Sequence, residues 1–216
     1  ITTLSYMFNT IGPSKWNNNF LRGIMTHTTI DGVVLLNKEK TFSIGLGQEI
    51  GIHTPLKEWM VWYNRIQMGY SAGGGFIRYT FGGQNQPINT RVDSTNIPKQ
   101  NSPYIYQHLV NPLRGFAMNT MAGNQYSIYN SELFFQLFDN GIFRIKSKFN
   151  FLNSLQLGLF VDIAYAKESF EENLWERRNC LGISSRTTIT NYPIRIDLAF
   201  PYSLRNKPMI HVSLTL

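Results

Sequence analysis

The chain has a single cysteine, Cys180, in 216 residues. No internal disulfide can form, and a zinc site of paired thiolates is excluded. Charged residues are scarce, at 15%, against about 25% in an ordinary soluble domain. No apolar run approaches the roughly 18 residues that a transmembrane helix needs. That absence leaves strands open: a transmembrane strand takes only about 9–11 residues, and half of them face a polar lumen. An initiator methionine and a leader peptide are also missing, and the chain begins at Ile1 inside a strand-like stretch. A barrel exported across an inner membrane needs a leader, so the expectation is a processed or truncated piece. His27, His53, His108 and His211 show no metal-ligand spacing. No metal, cofactor or nucleic-acid partner is expected.

What the chain does have is aromatic residues, 14%, and a net charge of +7. The charge fits a plain basic surface or a rim facing anionic polymer or lipid headgroups, and charge alone does not choose. The length fits one domain over residues 1–216.

Alternation is the dominant pattern. In 41–52, Phe42, Ile44 and Leu46 share one face and Ser43, Gly45, Gly47 and Glu49 the other. The glycines at 45, 47 and 51 lack the strand-then-helix setting of a phosphate cradle. Residues 58–72 read as a strand whose Trp59, Trp62 and Tyr63 suit an interfacial girdle or ordinary strand packing equally. Earlier, 4–10 and 20–30 read as strands. Gly12-Pro13 lies in a predicted turn, and Asp31-Gly32 signals another, with 33–36 pairing back.

The second half is cleaner. In 125–137, Leu133, Phe135 and Leu137 oppose Glu132, Phe134 and Gln136. In 155–166, six apolar positions from Leu155 to Tyr165 oppose Gln156, Gly158, Phe160, Asp162 and Ala164. The stripe is about 35 Å long at roughly 3.3 Å per residue, which suits a tilted membrane strand. Residues 167–178 read as a loop with a helical turn, and 181–190 as a weaker strand. Strands at 193–201 and 208–216 follow, the last with Ile210, Val212, Leu214 and Leu216 facing outward.

Between the halves lies 82–112, about thirty residues with four prolines and no convincing element. Loops beyond roughly 12–15 residues are functional or disordered. Tyr104, Ile105, Tyr106 and Leu109 argue for packing. With that segment on the outside, alternate connections should be long outside and short inside. Residues 138–150 break the rule: they fall inside and are long.

Four short motifs in order resemble the Omp85 superfamily of outer-membrane barrels, bacterial surface antigen type. They are Phe81-Gly82-Gly83, Arg114-Gly115-Phe116, Phe160-Val161-Asp162-Ile163-Ala164 and Tyr192-Pro193-Ile194-Arg195-Ile196-Asp197. Ala164 stands where the family has glycine, and Leu216 where exported barrels commonly end in an aromatic. The context of Asn119, Gly123-Asn124 and Asn130-Ser131-Glu132 is most similar to Bacteroidetes-type barrels. The resemblance implies an all-β antiparallel transmembrane barrel, the C-terminal part of an Omp85-type barrel. It also implies that 82–116 folds into the lumen, where Arg114, Gly115 and Phe116 anchor on Glu132, Phe160 and Asp162. The alternative leaves Arg114 on the loop surface and the acids lining a wet pore.

The function so implied is non-enzymatic insertion or translocation of other polypeptides at the bacterial outer membrane. The weak seam would be at the last strand, Ile210 to Leu216. Lipid and lipopolysaccharide, client polypeptides and accessory lipoproteins are the expected partners. A second reading is the anchoring or translocating barrel of a patatin-like lipase, although no Gly-x-Ser-x-Gly elbow and no POTRA-type domain is present in these residues. A third is a soluble β-sandwich binding module. Asp162→Asn is expected to be milder than Arg114→Ala, because an amide still accepts a hydrogen bond.

Overall fold

The computed structural model describes residues 1–15, 20–35, 41–83, 88, 91–98, 102–110, 113–168, 174–189, 192–202 and 207–214. The expected outward position Leu216 lies outside them.

One antiparallel sheet forms the wall. Its strands are β1 (Thr2–Asn9), β2 (Gly12–Pro13), β3 (Leu21–Leu35), β4 (Thr41–Lys57), β5 (Met60–Gly73), β9 (Gln125–Gln136), β10 (Gln156–Lys167), β11 (Glu176–Ile189), β12 (Tyr192–Pro201) and β13 (Met209–Leu214). The order along the sheet is β1-β3-β4-β5-β9-β10-β11-β12-β13, with the short β2 paired to β3. Inside it lies a second sheet of β6 (Phe76–Phe81), β7 (Tyr104–Val110) and β8 (Met121–Gly123), ordered β7-β6-β8. A single helical turn, α1 (Asn150–Asn153), sits between β9 and β10.

Strict alternation makes the wall. Burial in β9 and β10 switches residue by residue. Leu157, Leu159, Val161, Leu181, Ile183, Ile196, Leu198 and Ile210 are exposed on the convex face. Their neighbours Phe160, Asp162, Cys180, Ser184, Asp197 and His211 are buried on the concave face. A one-residue slip would exchange these two sets, so burial on one face pins the register. The concave face closes on the inner sheet. Val33, Tyr126, Ile128, Ala164 and Ala199 of the wall share one apolar cluster with Ile77, Phe81, Leu113 and Phe116. Ala164, in place of glycine, is accommodated there with no exposure.

The structure departs from the sequence reading in five places. Asp31-Gly32 makes no turn, and β3 runs through it. Asp31 has inward parity, is buried, and accepts a 2.7 Å hydrogen bond from the Thr3 hydroxyl, so the pair serves a strand. Gly12-Pro13 is the short β2, paired with Arg22 and Leu21. Tyr63 joins no outward girdle. It points inward, stacks on His53 at 4.4 Å, and packs on Phe20, Val61 and Phe134, whereas Trp62 is exposed outside.

The long segment is not without elements, for β7 runs parallel to β6. Its strand signal was weak because β7 does not alternate: Tyr106 to Leu109 are exposed in succession and Val110 is buried. β11 starts at Glu176, inside the stretch read as a loop. Its first turn of residues is exposed on both faces, so polarity mimicked a loop.

Candidate functional site

The 82–116 segment leaves β6 through Gly82 (φ +136°) and Gly83 (φ +72°), both in the region that side chains avoid. A Cβ on Gly82 would stand 1.9 Å from the Ala117 carbonyl oxygen, so only glycine lets the two arms of the loop meet. Gly83 and Leu113 then bridge, and the Phe116 carbonyl accepts from the Gly83 N–H at 2.9 Å. This closure delivers the tip, Arg114, to the concave face of β9–β13.

Arg114 is 3% exposed. Its Nε donates to Asp162 Oδ2 at 2.7 Å and its Nη2 to Asp162 Oδ1 at 2.6 Å, a two-pronged pair. The Arg114 backbone N–H adds a third bond to Oδ2 at 3.1 Å. Nη1 reaches Glu132 at 3.2 Å and lies 3.8 Å from Asp197. The guanidinium carbon sits 3.5 Å from the centre of the Phe160 ring, so one face is covered by an aromatic. Burial works against the charge, but Asp162 and Glu132 outweigh it and raise the pKa above the ordinary arginine value.

The acids in turn are held. Asn130 Nδ2 donates to Asp162 Oδ1 at 2.8 Å, and its Oδ1 accepts from Arg65 Nη2 at 2.8 Å, an orientation that both charged partners require. Glu132 accepts from Arg195 Nη2 at 2.5 Å and from Ser184 at 2.6 Å. Arg195 Nε donates to Asp197 at 2.9 Å. Arg65 also lies 3.6 Å from Glu49. Arg186 covers the Phe134 ring at 3.5 Å and bonds Gln156. The carboxylates of Glu49, Glu132, Asp162 and Asp197 are thus interleaved with the guanidiniums of Arg65, Arg114, Arg186 and Arg195. A buried charge is tolerable when paired and hydrogen-bonded; Arg65, Arg114 and Arg195 meet that condition with these acids, whereas Arg186 is held by Gln156 and the Phe134 ring.

Gly115 has φ +81°, and a Cβ there would stand 2.6 Å from Cys180 Sγ. Its N–H donates to His211 Nε2 at 3.0 Å, which fixes the imidazole as the Nδ1–H tautomer. Phe116 is buried in the main apolar cluster. The segment touches the last strand a second time, where the Ile88 N–H donates to the Val212 carbonyl at 2.7 Å. Beside the tip, Arg91, Asp93, Phe116, Thr120, Lys207 and Met209 line a cavity of about 650 Å³ at the head of β13.

The structure therefore brings together Arg114, Gly115, Phe116, Glu132, Phe160 and Asp162. On β13, Ile210 is exposed outward at 59%, while Val212 and Leu214 are half-buried. Asp197, Arg195, Asn130, Ser184 and His211 belong to the same layer; Arg195 and Asp197 stood in a motif and Asn130 in its context, but none of the five was assigned to the anchor from sequence. Parity could have found them. Arg195 and Asp197 alternate with outward Ile196 and Leu198, and His211 alternates with outward Ile210 and Val212. The geometry argues against the expectation that Asp162→Asn is milder than Arg114→Ala. Everything within bonding reach of that carboxylate is a donor, so an amide NH₂ would face another N–H.

No protein-family model matches the chain, and no curated protein matches it. Among solved structures it is similar to the crystal structure of BamA from Haemophilus ducreyi lacking POTRA domains 1-3. The TM-score is 0.65 at 14% sequence identity, over 97% of this chain and 41% of that one. This chain therefore spans less than half the length of that structure. The likeness establishes the fold, an antiparallel wall of the BamA barrel type with a long segment folded inside it.

Proposed function

We propose that the chain is wall and loop of an Omp85-type outer-membrane barrel that assists insertion or translocation of other polypeptides, without catalysis. The observation that carries this reading is the latch between the loop tip and the last strand. Arg114 holds the tip on β9, β10 and β12, and from that fixed point Gly115 bonds His211 on β13. A loop so placed sets the inward face of the terminal strand, where pairing with an incoming strand would be controlled.

The exposed outward stripe of β10–β13 supports a lipid-facing wall, and so a bacterial outer membrane as its place. Lipid and lipopolysaccharide would border the wall. Client polypeptides and accessory lipoproteins complete the proposed partners. The four motifs in order support the bacterial surface antigen type, and the context of Asn119, Gly123-Asn124 and Asn130-Ser131-Glu132 supports a Bacteroidetes-like source.

The test is reconstitution of the full-length protein in liposomes, with assembly of a heat-modifiable client barrel as the readout. Arg114→Ala and Arg114→Lys should both keep a folded, heat-modifiable barrel and lose most client assembly. Undiminished client assembly by both variants would overturn the reading.

A further inference from the structure

The connection between β9 and β10, residues 137–155, is the inward loop that is too long for its side of the barrel. It is folded, not slack. The Asp139 N–H donates to the Ile145 carbonyl at 2.9 Å, and the Phe143 N–H to the Leu137 carbonyl at 3.0 Å. Asn153 closes the second half, accepting from the Ser147 N–H at 2.7 Å and donating to its carbonyl at 3.0 Å. Asp139 (φ +60°) and Arg144 (φ +48°) are held left-handed, which for Arg144 only a defined conformation sustains.

What this ordered backbone displays is apolar. Ile142, Phe143, Ile145, Phe149 and Phe151 are all exposed, Ile145 at 64% and Phe149 at 63%. Arg144, Lys146 and Lys148 alternate with them, and among the described residues none of the three has an ion-pair partner. Asp139 is the one acid in the segment. The segment is held at both faces of the wall: the inward Gln136 side chain donates to the Phe138 and Asn153 carbonyls, and a second contact lies on the outward side. Ser154 contacts Thr187 at 3.0 Å, and Thr187 shares the outward parity of Leu181 and Ile183. At the neighbouring turn, Lys57 lies 5.1 Å from the Trp59 ring, and both border a cleft with Glu58 and Arg144, so that two cations and one acid line it.

We propose that residues 137–155 form a foot that rests in the headgroup layer of the inner leaflet, its aromatic and aliphatic side chains in the acyl boundary and its cations on phospholipid phosphates. This rests on the lipid-facing reading of the wall. Ordered apolar side chains interleaved with unpaired cations, continuous with that wall, fit an anionic lipid surface better than a protein groove. A basic, apolar surface element of this kind lies about 5–10 Å deep in the interface, and each cation adds attraction to anionic lipid.

The experiment uses nitroxide-labelled Phe149→Cys and, separately, Leu159→Cys, both in a Cys180→Ala background. The full chain is reconstituted in vesicles of phosphatidylethanolamine with or without phosphatidylglycerol. Relaxation by a water-soluble nickel chelate and by oxygen gives depth. The label at 149 should sit shallow but shielded from the chelate, about 5–10 Å below the phosphates. It should move outward when phosphatidylglycerol is omitted or when Arg144, Lys146 and Lys148 are changed to Gln. The label at 159 should sit deep throughout. A deep 159 with a chelate-exposed 149 would overturn the foot and leave the barrel intact. Shielding of 149 that ignores lipid charge and the cations would also overturn it, and would mark the surface as a protein-docking site. Chelate exposure at both positions would overturn the lipid-facing wall itself.

Discussion

Removing the Arg114 guanidinium leaves Asp162, Glu132 and Asp197 facing one another around an empty site. Breaking a buried pair from one side costs about 3–5 kcal/mol, which Arg114→Ala should show as a lowered urea midpoint for the refolded barrel. Lysine should recover little of it, because one ammonium cannot meet two Asp162 oxygens and Glu132 together. Asp162→Asn is predicted to be nearly as damaging as Arg114→Ala, not mild. The carboxylate takes bonds from the Arg114 backbone N–H, its Nε and Nη2, and Asn130 Nδ2, and an amide turns one acceptor into a donor. Equal stability of wild type and Asp162→Asn in a denaturant titration would refute that geometry. In the sequence, parity turned Glu132 and Asp162 away from Leu133 and Val161, and the motif resemblance implied Arg114 as their partner. Neither gave Asp197 or Asn130 a part in the anchor, because an inward acid or amide looks the same whether it lines a wet pore or completes an ion layer.

Among elements, β10 and β11 are joined by more than their ladder. Phe160 lies opposite Gly182, and the ring occupies the space that a side chain there would need. A Cβ at 182 would stand 2.4 Å from Phe160 Cζ and 2.3 Å from the Leu198 carbonyl. Gly182→Val should therefore push the ring off the Arg114 guanidinium. Loosening of the loop tip, read as faster hydrogen exchange at the Arg114 and Gly115 N–H groups, checks this. On the opposite face, Leu159→Arg should cost roughly 2–4 kcal/mol near the midplane, measured by refolding into vesicles. The strands from β9 onward were readable because burial on one side imposes period two. β6 and β7 were not: β6 is covered on both faces and its sequence loses the period, while β7 is exposed along Tyr106 to Leu109, so burial on one side imposes no period there. Asp31-Gly32 misled for the converse reason: a turn dipeptide is also an inward acid beside a small residue.

For the whole molecule, the inner sheet makes the 82–116 segment a filling rather than a tether. β7 is hydrogen-bonded to β6, and its Val110 is buried in the common core. Limited proteolysis of the protein in vesicles should leave 104–110 uncut while the barrel is folded. Cleavage there without loss of heat-modifiability would place the segment outside.

The bond between Gly115 and His211 joins groups 96 positions apart. It implies an order of events during folding. Every wall strand from β9 to β12 separates the two partners in the chain, so the tip can be fully seated only after β13 has arrived. Contacts of such separation come late, since closure entropy must be met before they form. Until then Arg114 can find Asp162 and Glu132, which lie only 48 and 18 positions away. The ion layer would act as a waiting station: it parks the loop in the half-built wall and keeps it out of the path of the last strand. A kinetic trace of refolding should accordingly show the tip protected in two phases, and His211→Ala should abolish the slower one alone.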